Sequence, residues 1–346
     1  MRAAMFHEPG DLRVIDVDEP TVGPGELKLR MHATATCGTD AKIFKHGHHR
    51  LEPPQIIGHE LAGEVVEIGE GTSGFTIGDR LQIIAAVPCG DCWACTADAM
   101  TVCPNQTSMG YQYPGGFAEY MIVPTQVLKV DGANRIPDGV SYAEASATEP
   151  LACALNAQEL VHVGDGDVVV VMGAGPIGCF HVRLARSRGA STVYLIDVNA
   201  GRLALSADRV HPEAAIDSST QDPVEAVMEL TGGRGADVII TAAPAASAQE
   251  QAIAMAAPQG RVSFFGGLPK DDPYIRCDSN VVHYRELSLV GANGSSPDHN
   301  RRALDLIADG SVPVLDLITH RVPLEKVHDA IEAVISGEAI KVIVEP

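Results

Sequence analysis

Two patterns of apolar residues divide this chain. Over roughly the first 150 residues the apolar stretches are short and broken by Gly and Pro: "LRVIDVDEP", "GELKLRMHATA", "LAGEVVEIG", "DRLQIIA" and "AEYMIVP". Several alternate apolar and polar positions, which predicts antiparallel strands with one buried face. The pattern changes near Glu149. Between Asp167 and Val290 compact apolar runs, "VVVVM", "VYLID", "DVIIT", "RVSFFG" and "LSLVGAN", alternate with helical stretches. Continuous apolar runs suit strands covered on both faces of a parallel sheet, and strand–helix alternation predicts βαβ units. Beyond Gly291 come an amphipathic helix ("HNRRALDLIADG"), the segment "ITHRVPLEKVHDAIEAVISG" and a last strand, "KVIVEP". This tail is too short to form a core alone, so it is expected to pack back on the N-terminal domain. The expected division is 1–150, 151–290 and 291–346.

Length and charge narrow the picture. A chain of 346 residues exceeds one ordinary core and predicts two domains. A formal net charge of −20 repels nucleic acid and anionic lipid, leaving a small molecule as the expected partner. No apolar window approaches the ~18 residues of a membrane span. The start, "MRAAMFHEPGDL", reads as lacking a cleavable leader, so the expected compartment is the cytosol. There, grouped cysteines serve metals or catalysis more often than disulfides.

"VVVVMGAGPIGCFHVRLARSRGASTVYLIDVN" places Gly173, Gly175 and Gly178 between a strand and a helix, with Asp197 closing the next strand about 20 residues on. This spacing predicts a dinucleotide site. Gly173 permits the tight turn, Gly175 lets backbone approach a pyrophosphate, and Gly178 lets helix and strand pack closely. Pro176 and Ile177 open the helix whose N-terminal amides face the phosphates. Asp197 accepts from a ribose 2′-hydroxyl and repels a 2′-phosphate, favouring NAD over NADP. Arg202, five residues on, tempers that preference.

Cys89, Cys92, Cys95 and Cys103, in "PCGDCWACTADAMTVCPN", are spaced C-x2-C-x2-C-x7-C. Four thiolates close a tetrahedral zinc shell and leave no open position, so the expectation is a structural zinc. Gly90, Ala94 and Ala97 ease the turns that aim the sulfurs at one centre. Elsewhere Cys37, His59, Glu60 and Glu149 supply thiolate, imidazole and carboxylate. These are ligand types of a catalytic zinc that keeps one position for water or substrate.

Together, "CGTD" at Cys37, "GHE" at Gly58–Glu60, the four-cysteine lobe, "GAGPIG" and the aspartate at 197 resemble the zinc-dependent medium-chain dehydrogenase/reductase family over essentially the whole chain. The glutamate of "TEP", Glu149, is similar to that of the sorbitol, iditol and galactitol-phosphate (polyol) dehydrogenase branch. The resemblance implies an α/β fold: a GroES-like, mostly-β catalytic domain with a structural-zinc lobe at 88–105, plus a Rossmann doubly wound parallel-sheet domain. It implies a catalytic zinc on Cys37 and His59, with Glu60 and Glu149 the carboxylates beside it. Two zinc ions per chain follow. Cys153, a nominal rival ligand, is expected to be a buried thiol, as are Cys179 and Cys277. Thr39 matches the family's hydroxyl relay, while Lys42 stands where many relatives carry a histidine; His46, His48 and His49 are expected to form an exposed basic turn. Phe44, Tyr111, Phe117 and Asn293 are the expected pocket wall.

The implied reaction is NAD-linked oxidation of a secondary hydroxyl of a polyol, sugar alcohol or sugar derivative by a homodimer or homotetramer. A threonine or amino-alcohol dehydrogenase on the same scaffold is the alternative, and a non-catalytic NAD(H)-binding redox sensor a more distant one.

Overall fold

The computed structural model describes residues 1–346. The chain divides into two compact units, one of Met1–Ala152 with Gly294–Pro346, the other of Cys153–Asn293.

The first unit begins with β1 (Arg2–Glu8), β2 (Asp11–Asp16), β3 (Leu27–Ala35), α1 (Gly38–His46), β4 (Gln55–Ile56), β5 (Glu60–Ile68) and β6 (Arg80–Ile83). A lobe follows with β7 (Ala86–Val87), α2 (Trp93–Thr96) and β8 (Thr107–Ser108), then β9 (Tyr120–Val123), α3 (Thr125–Lys129), β10 (Ala133–Arg135) and α4 (Tyr142–Ser146). The chain leaves the unit within α5 (Thr148–Leu160).

The two-residue period is visible in β3. Leu27, Leu29 and Met31 point inward and meet Leu61, Val65, Leu81 and Ile83 in one core cluster. Each such side chain removed from water contributes about 1.5–3 kcal/mol. β3 pairs antiparallel with β5, in a register that sets Ala35 opposite Glu60. Gly69 ends this region at close quarters, because a Cβ there would overlap the Gly23 carbonyl oxygen.

The second unit alternates β11 (Val168–Met172), α6 (Pro176–Ser187), β12 (Thr192–Asp197), α7 (Ala200–Val210), β13 (Ala214–Asp217), α8 (Pro223–Leu230), β14 (Ala236–Thr241), α9 (Ala246–Ala254), β15 (Ala256–Phe264), α10 (Ser279–Tyr284) and β16 (Ser288–Gly291). The sheet order is β13-β12-β11-β14-β15-β16, every pair parallel. That is the Rossmann order, with the topological switch beside β11. One expectation fails: "LSLVGAN" is not covered on both faces. β16 is the edge strand, with Ser288 and Leu289 exposed, because a strand with one neighbour cannot be walled in as its inner companions are.

The tail adds α11 (Pro297–Ala308), β17 (Ile318–Pro323), α12 (Val327–Ser336) and β18 (Lys341–Glu345) to the first unit. β18 enters the sheet between β3 and β17, with Ile343 opposite Ala35. Ala35 therefore has Glu60 on one side and the last strand on the other. α12 buries Val327, Ala330 and Ile331 in a cluster with Phe6, Ile43 and Val342. No helix is long and apolar enough to cross a membrane.

Gly69→Ala forces carbonyl and Cβ apart in a strand end that cannot yield. Urea unfolding is expected to show a loss of about 1–3 kcal/mol, whereas an unchanged midpoint contradicts the close approach.

Candidate functional site

The end of β3 organises the first site. Beyond Ala35 and Thr36 the chain reaches Cys37, which stays extended (φ −121°, ψ 154°) as the N-cap of α1. Asp40, three residues on and wholly buried, accepts the Cys37 N–H at 2.8 Å through Oδ2. Its other oxygen lies 3.4 Å from His59 Nδ1. One carboxylate thus fixes the thiol's backbone and faces the imidazole, in keeping with the carboxylates that support histidine ligands in metal sites.

The ligand atoms of Cys37, His59 and Glu60 lie within 4.8 Å of one another. Glu149, in the first turn of α5 and 9% exposed, stands outside that group. Its charge is nonetheless near enough to push the Glu60 carboxyl up. Of the four expected ligands, then, three converge and the fourth stands back. Burial pushes Glu60 well above the usual carboxylate range, and the Lys341 ammonium, ion-paired with it, opposes that rise without cancelling it. Burial lowers His59, yet Asp40 and Cys37 outweigh it and raise its pKa well above the ordinary value. Burial likewise pushes the Cys37 thiol up, but the hydrogen bond and charge of His59, with Lys341, bring it below the ordinary thiol value.

Neither Glu60 oxygen accepts a hydrogen bond, although both are buried. Oε2 has the Lys341 ammonium beside it, but Oε1 meets no donor, and a divalent cation beside a thiolate and an imidazole supplies the missing partner. The residues present fit zinc.

Around this cluster the expected residues separate. Thr39 is half-buried in the first turn of α1. The Tyr111 ring centre is 6.3 Å from that of His59, and burial pushes its phenol up to about 12. Phe44 is half-buried against the Phe6–Val327 cluster and meets His328 edge-on at 5.2 Å. Phe117 is not a pocket wall. It is 0% exposed, and its ring fills the space a side chain at Gly58 would need, so the core claims it. Asn293 is exposed and belongs to the other unit. Lys42, His46 and His49 are exposed, but His48 departs from the expected basic turn: it is half-buried, packed edge-on against Tyr111 at 4.9 Å. Cys179 is buried and Cys153 partly so, but Cys277 is exposed, because the 267–287 stretch runs largely over the surface.

The four-cysteine lobe forms a closed group. Its Sγ–Sγ separations include 3.6 Å (Cys92–Cys95), 3.7 Å (Cys92–Cys103), 3.6 Å (Cys103–Cys89) and 3.9 Å (Cys89–Cys95). A tetrahedron with Zn–S bonds of about 2.3 Å has edges of about 3.8 Å, and a disulfide requires about 2.05 Å. The spacing is that of a metal shell. Gly90, at φ +84°, makes the turn, and the N–H groups of Cys89 and Gly90 point at Cys103 and Cys95 sulfurs at 3.4 and 3.3 Å. Backbone N–H donation from Cys95 leads the effects that draw the Cys92 thiol down to about 7.

In the second unit Gly173 sits at φ +113°, a region closed to most side chains. A Cβ at Gly178 would overlap the Gly173 carbonyl oxygen, whereas one at Gly175 would meet nothing. Space over Gly175 and an α6 N-terminus with Pro176 in its first turn and no capping side chain fit a diphosphate. Gly175, Pro176 and Ile177 are half-exposed there. Asp197 Oδ2 accepts the Ala174 N–H at 2.7 Å, and Arg202 grips the carboxylate with two bonds of 3.0 and 2.8 Å. Burial pushes Asp197 up; Arg202 and the backbone donors outweigh it and hold it below the usual range.

Two residues escape a reading of the sequence: Asp40 and Lys341. Asp40 carried a local signal, since an acid three residues after an N-cap can close back on it. Lys341 carried only a lysine opening an apolar strand.

The family model described as "Alcohol dehydrogenase GroES-like domain" matches residues 23–132, and that described as "Zinc-binding dehydrogenase" matches 176–309. The chain is 34% identical over 342 residues to a sorbitol dehydrogenase of Halalkalibacterium halodurans, covering 98% of this chain and 97% of that one. It is 33% identical to an L-threonine 3-dehydrogenase of Pyrococcus horikoshii, covering 99% and 98%. Among solved structures, a zinc-binding dehydrogenase from Sinorhizobium meliloti bound to NADP superposes with a TM-score of 0.92 at 32% identity, over 100% and 99% of the two chains.

Elemental analysis is expected to find close to two zinc ions per chain. Cys37→Ala should retain one and the folded state; Cys92→Ala should lose the other and lower Tm by roughly 4 °C or more, the shift of a ~2 kcal/mol loss. If Cys92→Ala instead stays fully stable and only turnover fails, the two sites have exchanged roles.

Proposed function

This chain belongs to the zinc-dependent medium-chain dehydrogenase/reductase family, in its polyol dehydrogenase branch, and from that premise we propose that it oxidises a secondary hydroxyl of a polyol or sugar derivative to the ketone with NAD. The observation that carries the reading is the convergence of Cys37, His59 and Glu60, with Glu149 close behind. Carboxylates make this centre more polar than one built of thiolates alone, which suits a substrate rich in hydroxyls.

When bound, zinc supplies a Lewis acid that lowers the pKa of a substrate hydroxyl, and the nicotinamide supplies a hydride acceptor. The chain's own groups do the rest. Asp40 holds Cys37 and His59 in place. Thr39 Oγ1 would accept the hydrogen bond of the reacting hydroxyl and relay its proton, taking it as Thr39 passes its own proton on to the nicotinamide ribose hydroxyl. Tyr111 walls the centre and, with its phenol pushed up to about 12, stays protonated and donates. Gly175 and the α6 N-terminus hold the diphosphate, and Asp197 takes the ribose hydroxyls. The Arg202 grip neutralises part of the Asp197 charge, so the preference for NAD is expected to be moderate.

Threonine oxidation is the second reading, favoured by the 33% identity to the L-threonine 3-dehydrogenase. We place the enzyme in the cytosol, in keeping with grouped thiols kept for metal. We read it as a homodimer or homotetramer, which the open edge of β16 supports.

NADH formation on a panel of sugar alcohols, cyclitols, sugar phosphates and threonine tests the substrate. Turnover of polyols is expected, and turnover of threonine alone sinks the first reading. For the cofactor, Asp197→Ser should shift the NAD-to-NADP ratio of kcat/KM toward NADP by about tenfold, the scale of one lost charge contact. A ratio that does not move denies Asp197 that role.

A further inference from the structure

Lysine is almost never fully buried unless it is paired. Lys341, the first residue of β18, is 1% exposed, and Val342, Ile343 and Val344 behind it are as deeply buried. Its ammonium makes two contacts. It ion-pairs with Glu60 Oε2, and it donates to the Thr36 carbonyl at 2.9 Å. Thr36 is the residue before Cys37, and Glu60 the residue after His59. One cation therefore ties the backbone leading to the thiol to the side chain of the carboxylate. Glu60 is 0% exposed, accepts no hydrogen bond, and has a ligand oxygen within 4.8 Å of the Cys37 and His59 ligand atoms. Lys341 is the cation paired with its carboxylate.

We propose that Lys341 is a positioning residue of the metal centre: it fixes the Glu60 carboxylate beside Cys37 and His59, so that the last strand of the chain sets how tightly the metal is held. The inference rests on reading Cys37, His59 and Glu60 as a zinc site. Its geometry follows from register. Ala35 lies opposite Glu60 on β5 and opposite Ile343 on β18, so the start of β18 reaches the residues that follow β3. A methionine at 341 keeps the buried stem and removes both contacts. An arginine keeps the charge.

The test uses the full chain loaded with zinc or cobalt(II). Lys341→Met is expected to retain the zinc of the four-cysteine lobe, which serves as an internal control of folding. It should bind the second zinc about 10–100-fold more weakly in chelator competition, the usual cost of losing a group that orients a ligand. The visible ligand-field bands of cobalt in that site should move, and Lys341→Arg should restore most of both properties. A folded Lys341→Met with zinc affinity within about twofold of wild type and an unmoved cobalt spectrum overturns the proposal. If that variant does not fold, 15N NMR of the wild-type Lys341 ammonium decides: its resonance should shift on the second metal equivalent, and a fixed resonance overturns the proposal. A wild-type chain that takes only one zinc, in the cysteine lobe, defeats the zinc reading and this inference with it.

Discussion

The first unit is built around buried charge. Asp40, Glu60 and Lys341 are all withdrawn from water at one end of β3, and His59 and Glu149 are nearly so. Isolated charges in such a place cost several kcal/mol each, so each must face a partner. The partners are drawn from the whole unit. Asp40 comes from α1, His59 from the residue before β5, Glu60 from the start of β5, Glu149 from α5, and Lys341 from the last strand. None of these elements holds its charge alone. The sheet order β5-β3-β18 brings them together, and the apolar clusters on either side keep the strands in register.

The two metal-type clusters show what open and closed donor sets do. The lobe at 88–105 gathers four sulfurs, with backbone N–H groups supporting them, and offers nothing further to a ligand. Its donor set is closed, which is the character of a structural metal site. The cluster at Cys37 is mixed, has a buried Glu60 oxygen, Oε1, that meets no donor, and is bordered by Glu149 and Tyr111. That incompleteness lets a centre of this kind take a substrate oxygen.

Legibility followed the distance along the chain over which a feature is encoded. The glycine loop could be read directly because a turn, a helix start and the acid after the next strand are local events. The four cysteines could be read for the same reason. Phe117 could not, since whether an aromatic ring lines a pocket or fills a core depends on what Gly58 leaves beside it. The 267–287 stretch misled in the case of Cys277, because a cysteine's average preference for burial is no guide to a segment that runs over the surface. "LSLVGAN" has an apolar pattern, but being the edge of a sheet is a property of strand order rather than of the strand.

By itself the sequence determined the parallel-sheet unit, the phosphate-binding turn, the cysteine shell and the identity of the residues able to hold a metal. Each depends on spacing, which one stretch of chain carries whole. The tertiary structure decided which of those residues meet: Cys37, His59 and Glu60 within ligand distance, Glu149 behind them, Asp40 beneath two of them, and Lys341 brought back from the end of the chain. The reason is that partnership between buried charges is set by strand register and sheet order. Those are settled by how the apolar faces pack, across separations such as the 305 residues between Thr36 and Lys341, which no local pattern records.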